Sequence, residues 1–251
     1  MTGFGATETA PFAFSTGVDG AFAGMVGFPA PGMDVKLTPV GAKLEARVRG
    51  PNITPGYWGD EQLTRQAFDE EGFYRLGDAM RFVDPADPTR GLIFDGRLAE
   101  DFKLSTGTWV SVGPLRARIL AALGGYAQDV VITGHDRDFA GALVFPNAAA
   151  CRALAGMDDT TPLRLVLDHP RVVEVFHTAF DALAREGTGS STFVARALLL
   201  DEPPSLEAKE MTDKGSINQK AVILHRAALV DDLYATTPSA RVIGARATLS
   251  R

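Results

Sequence analysis

Along the first 95 residues, apolar positions come in short runs separated by turn chemistry. Val35–Leu37 and Leu44–Val48 are such runs, and Gly27-Phe28-Pro29, Pro31-Gly32 and Gly50-Pro51 punctuate them. That pattern predicts a β-rich unit. Only Asp60–Phe68 reads as a helix, with Asp60 as its N-cap and Glu61 in its first turn. After Arg97 the pattern alternates. Thr108–Val112 predicts a strand, and Pro114–Leu123 a helix with proline at its first position. Gln128–Thr133 and Ala140–Phe145 predict two strands around His135-Asp136-Arg137-Asp138. Arg171–Arg185 predicts a helix and Ser191–Leu200 a strand. Ser216–Tyr234 gives the clearest helix, with Ser216-x-x-Gln219 as a capping box and Ile217, Ala221, Leu224 and Ala228 on one face. The expectation is an α+β chain in two units, 1–95 and 96–251.

Length and composition agree with two unequal units: 251 residues, 45% hydrophobic and 22% charged, describe an ordinary globular chain. No apolar stretch approaches the ~18 residues of a membrane span, and no basic region followed by an apolar block opens the chain. The lone cysteine, Cys151, fits a reducing compartment and reads as a packed helix residue. A cytoplasmic protein is expected. Residues 1–95 carry 13 acidic and 8 basic side chains, and the remainder 18 and 17. Neither part offers the basic field that nucleic acid or an anionic membrane requires, so small-molecule chemistry is favoured. The four histidines have no metal-ligand spacing.

Four places invite a chemical reading. Gly3-Phe4-Gly5-Ala6-Thr7-Glu8-Thr9-Ala10 brackets an aromatic with glycines and sets a hydroxyl beside a carboxylate, a pair suited to phosphate and its metal ion; a frayed terminus is the plain alternative. Tyr74-Arg75-Leu76-Gly77-Asp78 places an acid after a glycine, where it can accept bonds from a vicinal diol or serve as a turn residue. Phe94 to Val110 lies where the pattern changes, as a joint, a site or both. Glu210-Met211-Thr212-Asp213-Lys214-Gly215-Ser216 sets a lysine ahead of the predicted helix, where an anionic partner or plain solvation would suit it.

In this order the four resemble the C-terminal portion of the adenylate-forming (AMP-binding) superfamily of acyl-CoA synthetases, luciferases and peptide-synthetase adenylation domains. The landmarks are Phe4–Glu8, the turn Gly27-Phe28-Pro29-Ala30-Pro31-Gly32, Gly56-Tyr57-Trp58, Tyr74–Asp78 and Gly96-Arg97 through Lys103. Phe94 through Ser105, Val110 through Arg118, and Thr212 through Gln219 look like feruloyl-CoA synthases and related aromatic acyl-CoA synthetases.

The resemblance implies that residues 1–95 are the β-rich C-terminal part of a large adenylation domain and 96–251 a small mobile α+β domain. It implies an ATP- and Mg²⁺-dependent reaction of an aromatic carboxylic acid, giving an acyl-adenylate and then, with coenzyme A, an acyl-CoA. Phe4 and Gly5 would lie at the adenine, Thr7 at a phosphate, Glu8 at Mg²⁺, and Asp78 with Arg97 at the ribose. Lys214, or Lys220 nearby, would be the catalytic lysine. The family's Gly-Lys pair is not reproduced, since Gly215 is followed by Ser216. Lys103, Gly107 and Trp109 would line the coenzyme A path. At the joint, relatives carry Asp or Lys two residues after the arginine, where this chain has Ala99. The Ser/Thr/Gly-rich phosphate loop that precedes the G-x-T-E motif in relatives is absent from these 251 residues, so the N-terminal part of the adenylation domain is an expected partner. A long-chain acyl-CoA synthetase, a carboxylic acid reductase adenylation part and a non-catalytic nucleotide- or CoA-binding module are the alternatives.

Overall fold

The computed structural model describes residues 3–17, 21–213 and 215–245. The chain divides into two compact units, Met1–Ala99 and Glu100–Arg251.

The first unit is built on strands β1 (Gly3–Phe4), β2 (Phe14–Ser15), β3 (Met25–Pro29), β4 (Asp34–Val40), β5 (Lys43–Arg49), β6 (Tyr74–Phe82) and β7 (Leu92–Arg97). They form one sheet in the order β1-β2-β3-β7-β6-β5-β4, antiparallel throughout. β4 and β5 pair from Asp34↔Arg49 to Val40↔Lys43, so a two-residue loop joins them, and Gly41 takes the left-handed φ of +60° that this loop needs. The pleat of β5 sends Ala46 and Val48 into a core with Phe14, Val26, Tyr74, Met80 and Leu92. Its other face is ionic. Arg47 Nε meets Glu45 Oε2 at 2.7 Å, and Arg47 and Lys36 both reach Asp69, at 3.1 and 2.7 Å. Burial alone would raise the Asp69 pKa, yet the bonds from Lys36, Arg47 and the Phe73 and Glu71 amides hold it far below the ordinary range. Helix α1 (Glu61–Ala67) starts as expected: Asp60 Oδ1 accepts from Leu63 N at 2.8 Å, a cap worth about 1 kcal/mol.

The second unit opens with a hairpin, β8 (Phe102–Lys103) and β9 (Trp109–Val110), followed by helix α2 (Val112–Leu123). Strands β10 (Ala127–Thr133) and β11 (Gly141–Pro146) come next, then helices α3 (Ala148–Ala155), α4 (Leu163–Leu167) and α5 (Pro170–Glu186). Strand β12 (Arg196–Leu199), helices α6 (Gln219–His225) and α7 (Ala227–Tyr234), and strand β13 (Val242–Gly244) complete it. The sheet runs β10-β11-β12-β13, with only β11–β12 parallel, and the crossover between that pair carries α3 to α5. Every residue of β11 is buried because both faces are covered. Ala142 and Val144 pack with residues of α2 and α5, while Leu143 and Phe145 pack with residues of α6 and α7. This is the α+β architecture expected, arranged as a sheet between two helical layers.

Several local expectations are corrected. α2 begins at Val112, so Pro114 is its third residue, still within the first turn whose amides need no helical acceptor. The strand predicted over Ser191–Leu200 is reduced to β12. α4 was not predicted, and α3 was signalled only by the reading of Cys151 as a packed helix residue. The helix expected over Ser216–Tyr234 starts at Gln219, capped by Asn218 Oδ1 on Ala221 N at 3.2 Å, and breaks at Arg226. The capping box does not form. Ser216 Oγ pairs with Thr212 Oγ1 at 2.7 Å, and the Gln219 side chain turns to the edge strand β10. There it accepts from Ile132 N and donates to Val130 O, each at 3.1 Å, replacing the strand that β10 lacks on that side. The expected apolar face is also displaced. Leu224 is 80% exposed, whereas Gln219, Val222, Arg226 and Leu233 are buried. Polar side chains face inward here because each has partners there.

Candidate functional site

In the first unit the segment around Glu8 is a one-turn helix, Thr7–Thr9, closed by Ala10 at φ +49°. Its glycine has a steric reason: a Cβ on Gly5 would stand 2.5 Å from Thr9 Oγ1, 2.6 Å from Pro11 C and 2.8 Å from Phe12 N. Thr9, buried, accepts from Ala6 N and donates to Ala6 O, at 3.0 and 2.9 Å. Asn52 Nδ2 donates to the carbonyls of Thr9 and Phe12, both at 2.7 Å, and Thr54 N donates to Glu8 O at 2.8 Å. The loop is therefore clamped from behind. Thr7 stays exposed and Glu8 half-exposed. Phe4, half-buried, leans on Phe14 and Phe94 with ring centroids 6.1 and 5.7 Å away.

Two tyrosines extend the Glu8 cluster. Tyr57 Oη donates to Glu8 Oε1 at 3.0 Å and meets Tyr74 Oη at 3.1 Å. Burial, the Tyr57 bond and the negative charges of Glu8 and Asp78 push the Tyr74 phenol well above its ordinary range. Asp78 thus acts on the same phenol as Glu8. It lies in β6 directly opposite Arg97 of β7, with Arg97 Nε 3.6 Å from Asp78 Oδ1. The carboxylate is largely buried and the guanidinium 67% exposed, so the pair presents its cationic part outward.

The second unit gathers the other predicted residues in two places. Lys103 and Trp109 face each other across the β8–β9 hairpin, Lys103 Nζ lying 5.1 Å from the indole centroid, and Gly107 makes the turn at φ +81°. Both side chains are accessible. The hairpin is fixed to the 134–138 turn by Asp136 N on Lys103 O, Ser105 N on Arg137 O and Ser105 Oγ on Asp138 Oδ1, at 3.0, 2.9 and 2.7 Å. Lys220 is exposed on the first turn of α6. Lys214 lies outside the described residues.

Glu210, which opens the lysine-bearing motif, is fully buried. Arg226 grips it through Nε–Oε1 at 2.8 Å and Nη2–Oε2 at 2.9 Å, His225 Nδ1 lies 2.9 Å from Oε1, and Ser205 N donates to Oε2 at 2.7 Å. Burial would raise this carboxyl, but those partners hold it down at about 2. Glu210 O also accepts from Asn218 N at 2.8 Å, so one residue ties both ends of segment 211–217. Glu210 itself is a structural staple. Cys151 is buried in α3, and burial pushes its thiol up to about 11, as suits a packed residue.

Tyr57, Tyr74 and the clamp residue Asn52 were given no role from sequence. The two tyrosines stood inside recognised landmarks, and that was the available signal. Among the described residues no group of three or more His, Cys, Asp or Glu is placed to hold a metal, and no helix is long and apolar enough to cross a membrane.

Comparison with known proteins adds the following. Residues 101–238 match the family described as AMP-binding enzyme C-terminal domain. The chain is 26% identical to probable acyl-activating enzyme 16, chloroplastic, of Arabidopsis thaliana, over 93% of this chain and 34% of that protein. It is 27% identical to long chain acyl-CoA synthetase 6, peroxisomal, of the same plant, over 95% of this chain and 36% of that protein. The chain thus spans about a third of the length of these curated relatives. Its fold is similar to the A-PCP didomain of a carboxylic acid reductase from Segniliparus rugosus in complex with AMP, with a TM-score of 0.65 at 22% identity, over 83% of this chain and 29% of that one.

Proposed function

Because this chain belongs to the AMP-binding enzyme C-terminal domain family, we propose that it is the C-terminal portion of an ATP-dependent acyl-CoA synthetase. The observation that carries the reading is the Asp78–Arg97 pair, facing across β6 and β7 in the unit that holds Glu8 and just ahead of the family-matched region. A largely buried carboxylate beside an outward guanidinium suits a nucleotide's ribose and phosphate charge. Phe4 and Gly5 then border the adenine, and Thr7 meets a phosphate.

Mg²⁺ fits Glu8 by donor chemistry. The residue keeps one oxygen, Oε2, without a bond among the described residues, and a single carboxylate suffices for a cation that takes its remaining ligands from water and substrate phosphates. When bound, the ion would offset charge on the ATP phosphates.

The reaction has two displacements. A carboxylate oxygen of the acid bonds to the α-phosphorus of ATP and pyrophosphate leaves; the thiolate of coenzyme A then bonds to the acyl carbon and AMP leaves. A lysine, Lys214 in the first instance and Lys220 in the second, neutralises charge between carboxylate and phosphate in the first step. Lys103, Gly107 and Trp109 line the pantetheine path in the second, and unit 2 turns about the 97–103 joint between steps. The acid is aromatic on the strength of the three feruloyl-synthase-like stretches.

The chain by itself is expected to be inactive, so the test measures acid-dependent pyrophosphate release and CoA-dependent thioester formation by the complete enzyme, with the N-terminal part of the adenylation domain joined to these residues, with ferulate, 4-coumarate and palmitate. Ferulate-dependent turnover supports the full reading; turnover with palmitate alone replaces the acid. Nucleotide binding with no turnover even in the presence of the N-terminal part moves the chain to a binding module. Lys214→Ala should slow adenylation far more than thioester formation from supplied adenylate, and a defect confined to Lys220→Ala reassigns the lysine.

A further inference from the structure

The landmark Gly56-Tyr57-Trp58 has no role in the reading above, yet Tyr57 touches its central carboxylate. A phenol has one proton. With the Tyr57 proton on Glu8 Oε1 at 3.0 Å, the 3.1 Å contact between the two phenols must be donated by Tyr74, which fixes the direction Tyr74 to Tyr57 to Glu8.

Both phenols are held independently of Glu8. Tyr57 N donates to Thr64 Oγ1 at 2.8 Å, and Thr64 Oγ1 donates to Asp60 O at 2.8 Å at the start of α1. Gly56 permits this approach, since a Cβ there would stand 2.6 Å from Thr64 Cγ2. Tyr74 is buried in β6, its ring edge-on to Phe68 at 5.5 Å. The Glu8 main chain is tied to the same segment through Thr54 N. Backbone and side chain of Glu8 thus reach one support, segment 54–57. The partner is neutral, so the carboxylate keeps its full charge, and only one of its oxygens is used.

We infer that Tyr57, backed by Tyr74, is a positioning residue that turns Glu8 into a one-oxygen ligand for the metal of a metal–ATP complex. The inference rests on the assignment of Glu8 to Mg²⁺. Partners that orient a ligating carboxylate typically change metal affinity about 10- to 100-fold when removed.

MnATP serves as a paramagnetic probe on the isotopically labelled protein, with metal-free ATP as reference. In the wild type, NMR broadening should centre on Thr7–Thr9 and Tyr57 and be lost in Glu8→Gln. Tyr57→Phe should need about 10-fold more MnATP for the same broadening while its response to metal-free ATP is unchanged. A strut with no bearing on the metal would not split the two. Tyr74→Phe, which leaves the Tyr57–Glu8 bond in place, should shift the midpoint only about two- to threefold and guards against misfolding of the first variant. An unchanged MnATP midpoint in both variants overturns the inference and leaves Glu8 as the metal ligand. Absence of broadening at Thr7–Thr9 in the wild type removes the metal role of Glu8, and the inference with it.

Discussion

Glu8 and Glu210 both stand in motifs that invite a chemical reading, and the structure treats them in opposite ways. Glu8 is half-exposed, touched at one oxygen by a neutral phenol, and its loop is clamped through the backbone. Glu210 is fully buried, both oxygens are bonded, and its partners include a guanidinium and an imidazole. An acid gripped by a guanidinium has its charge offset internally; an acid oriented by a neutral phenol is left to an incoming cation. The partner set therefore separates a staple from a site more sharply than the motif does.

The strongest way to break this comparison is to remove the guanidinium. Arg226→Met leaves Glu210 buried without its guanidinium, which should cost about 3–5 kcal/mol of stability in urea unfolding. A loss below about 1 kcal/mol, the range of exposed pairs, would return Glu210 to the list of candidate chemical groups. The acid limb gives the same answer independently. With its folded pKa held at about 2 against an ordinary 4.5, Glu210 contributes its full stabilisation above pH 4.5 and loses it as pH falls toward 2. Arg226→Met should flatten that limb.

A smaller effect sharpens the Glu8 side. Gly5→Ala inserts a Cβ against Thr9, Pro11 and Phe12, and should destabilise the first unit by about 1–3 kcal/mol. If the glycine served only the approach of a nucleotide, stability would be unmoved and nucleotide binding alone would weaken. Thermal unfolding with and without ATP separates the two.

What the sequence could tell followed the range of the interactions involved. The strands β4 and β5 and the helices α1 and α5 were legible because alternation, turn glycines and an Asp cap act within a few residues. The break at Arg226 was not, because its cause lies 16 residues upstream in Glu210. Gln219 likewise looked like half of a capping box, and its actual partners are 87 and 89 residues away on β10. At the candidate site, Asp78 and Arg97 were paired through the motifs and stand opposite each other in register. The phenols escaped assignment because Tyr57 reaches Glu8 across 49 residues and Tyr74 across 17. Local chemistry named the carboxylates; distant chemistry decided which was a staple.

The smallest expected effect falls on Tyr74→Phe. The variant keeps the ring against Phe68 and removes only the hydroxyl that donates to Tyr57, so it should cost about 0.5–1.5 kcal/mol. Its signature lies at alkaline pH. Burial and the Tyr57 bond push the Tyr74 phenol well above its ordinary range, so it should ionise late in an absorbance titration. Because burial disfavours the folded phenolate, its protonated form stabilises the fold fully below pH 10 and progressively less above it, where unfolded tyrosine ionises first. Tyr74→Phe should lose the late phenol and show a flatter alkaline limb, with the acid limb of Glu210 untouched. An alkaline limb identical to wild type would mean that Tyr57 orients Glu8 alone, and the contrast between the two acids would then rest on a single phenol.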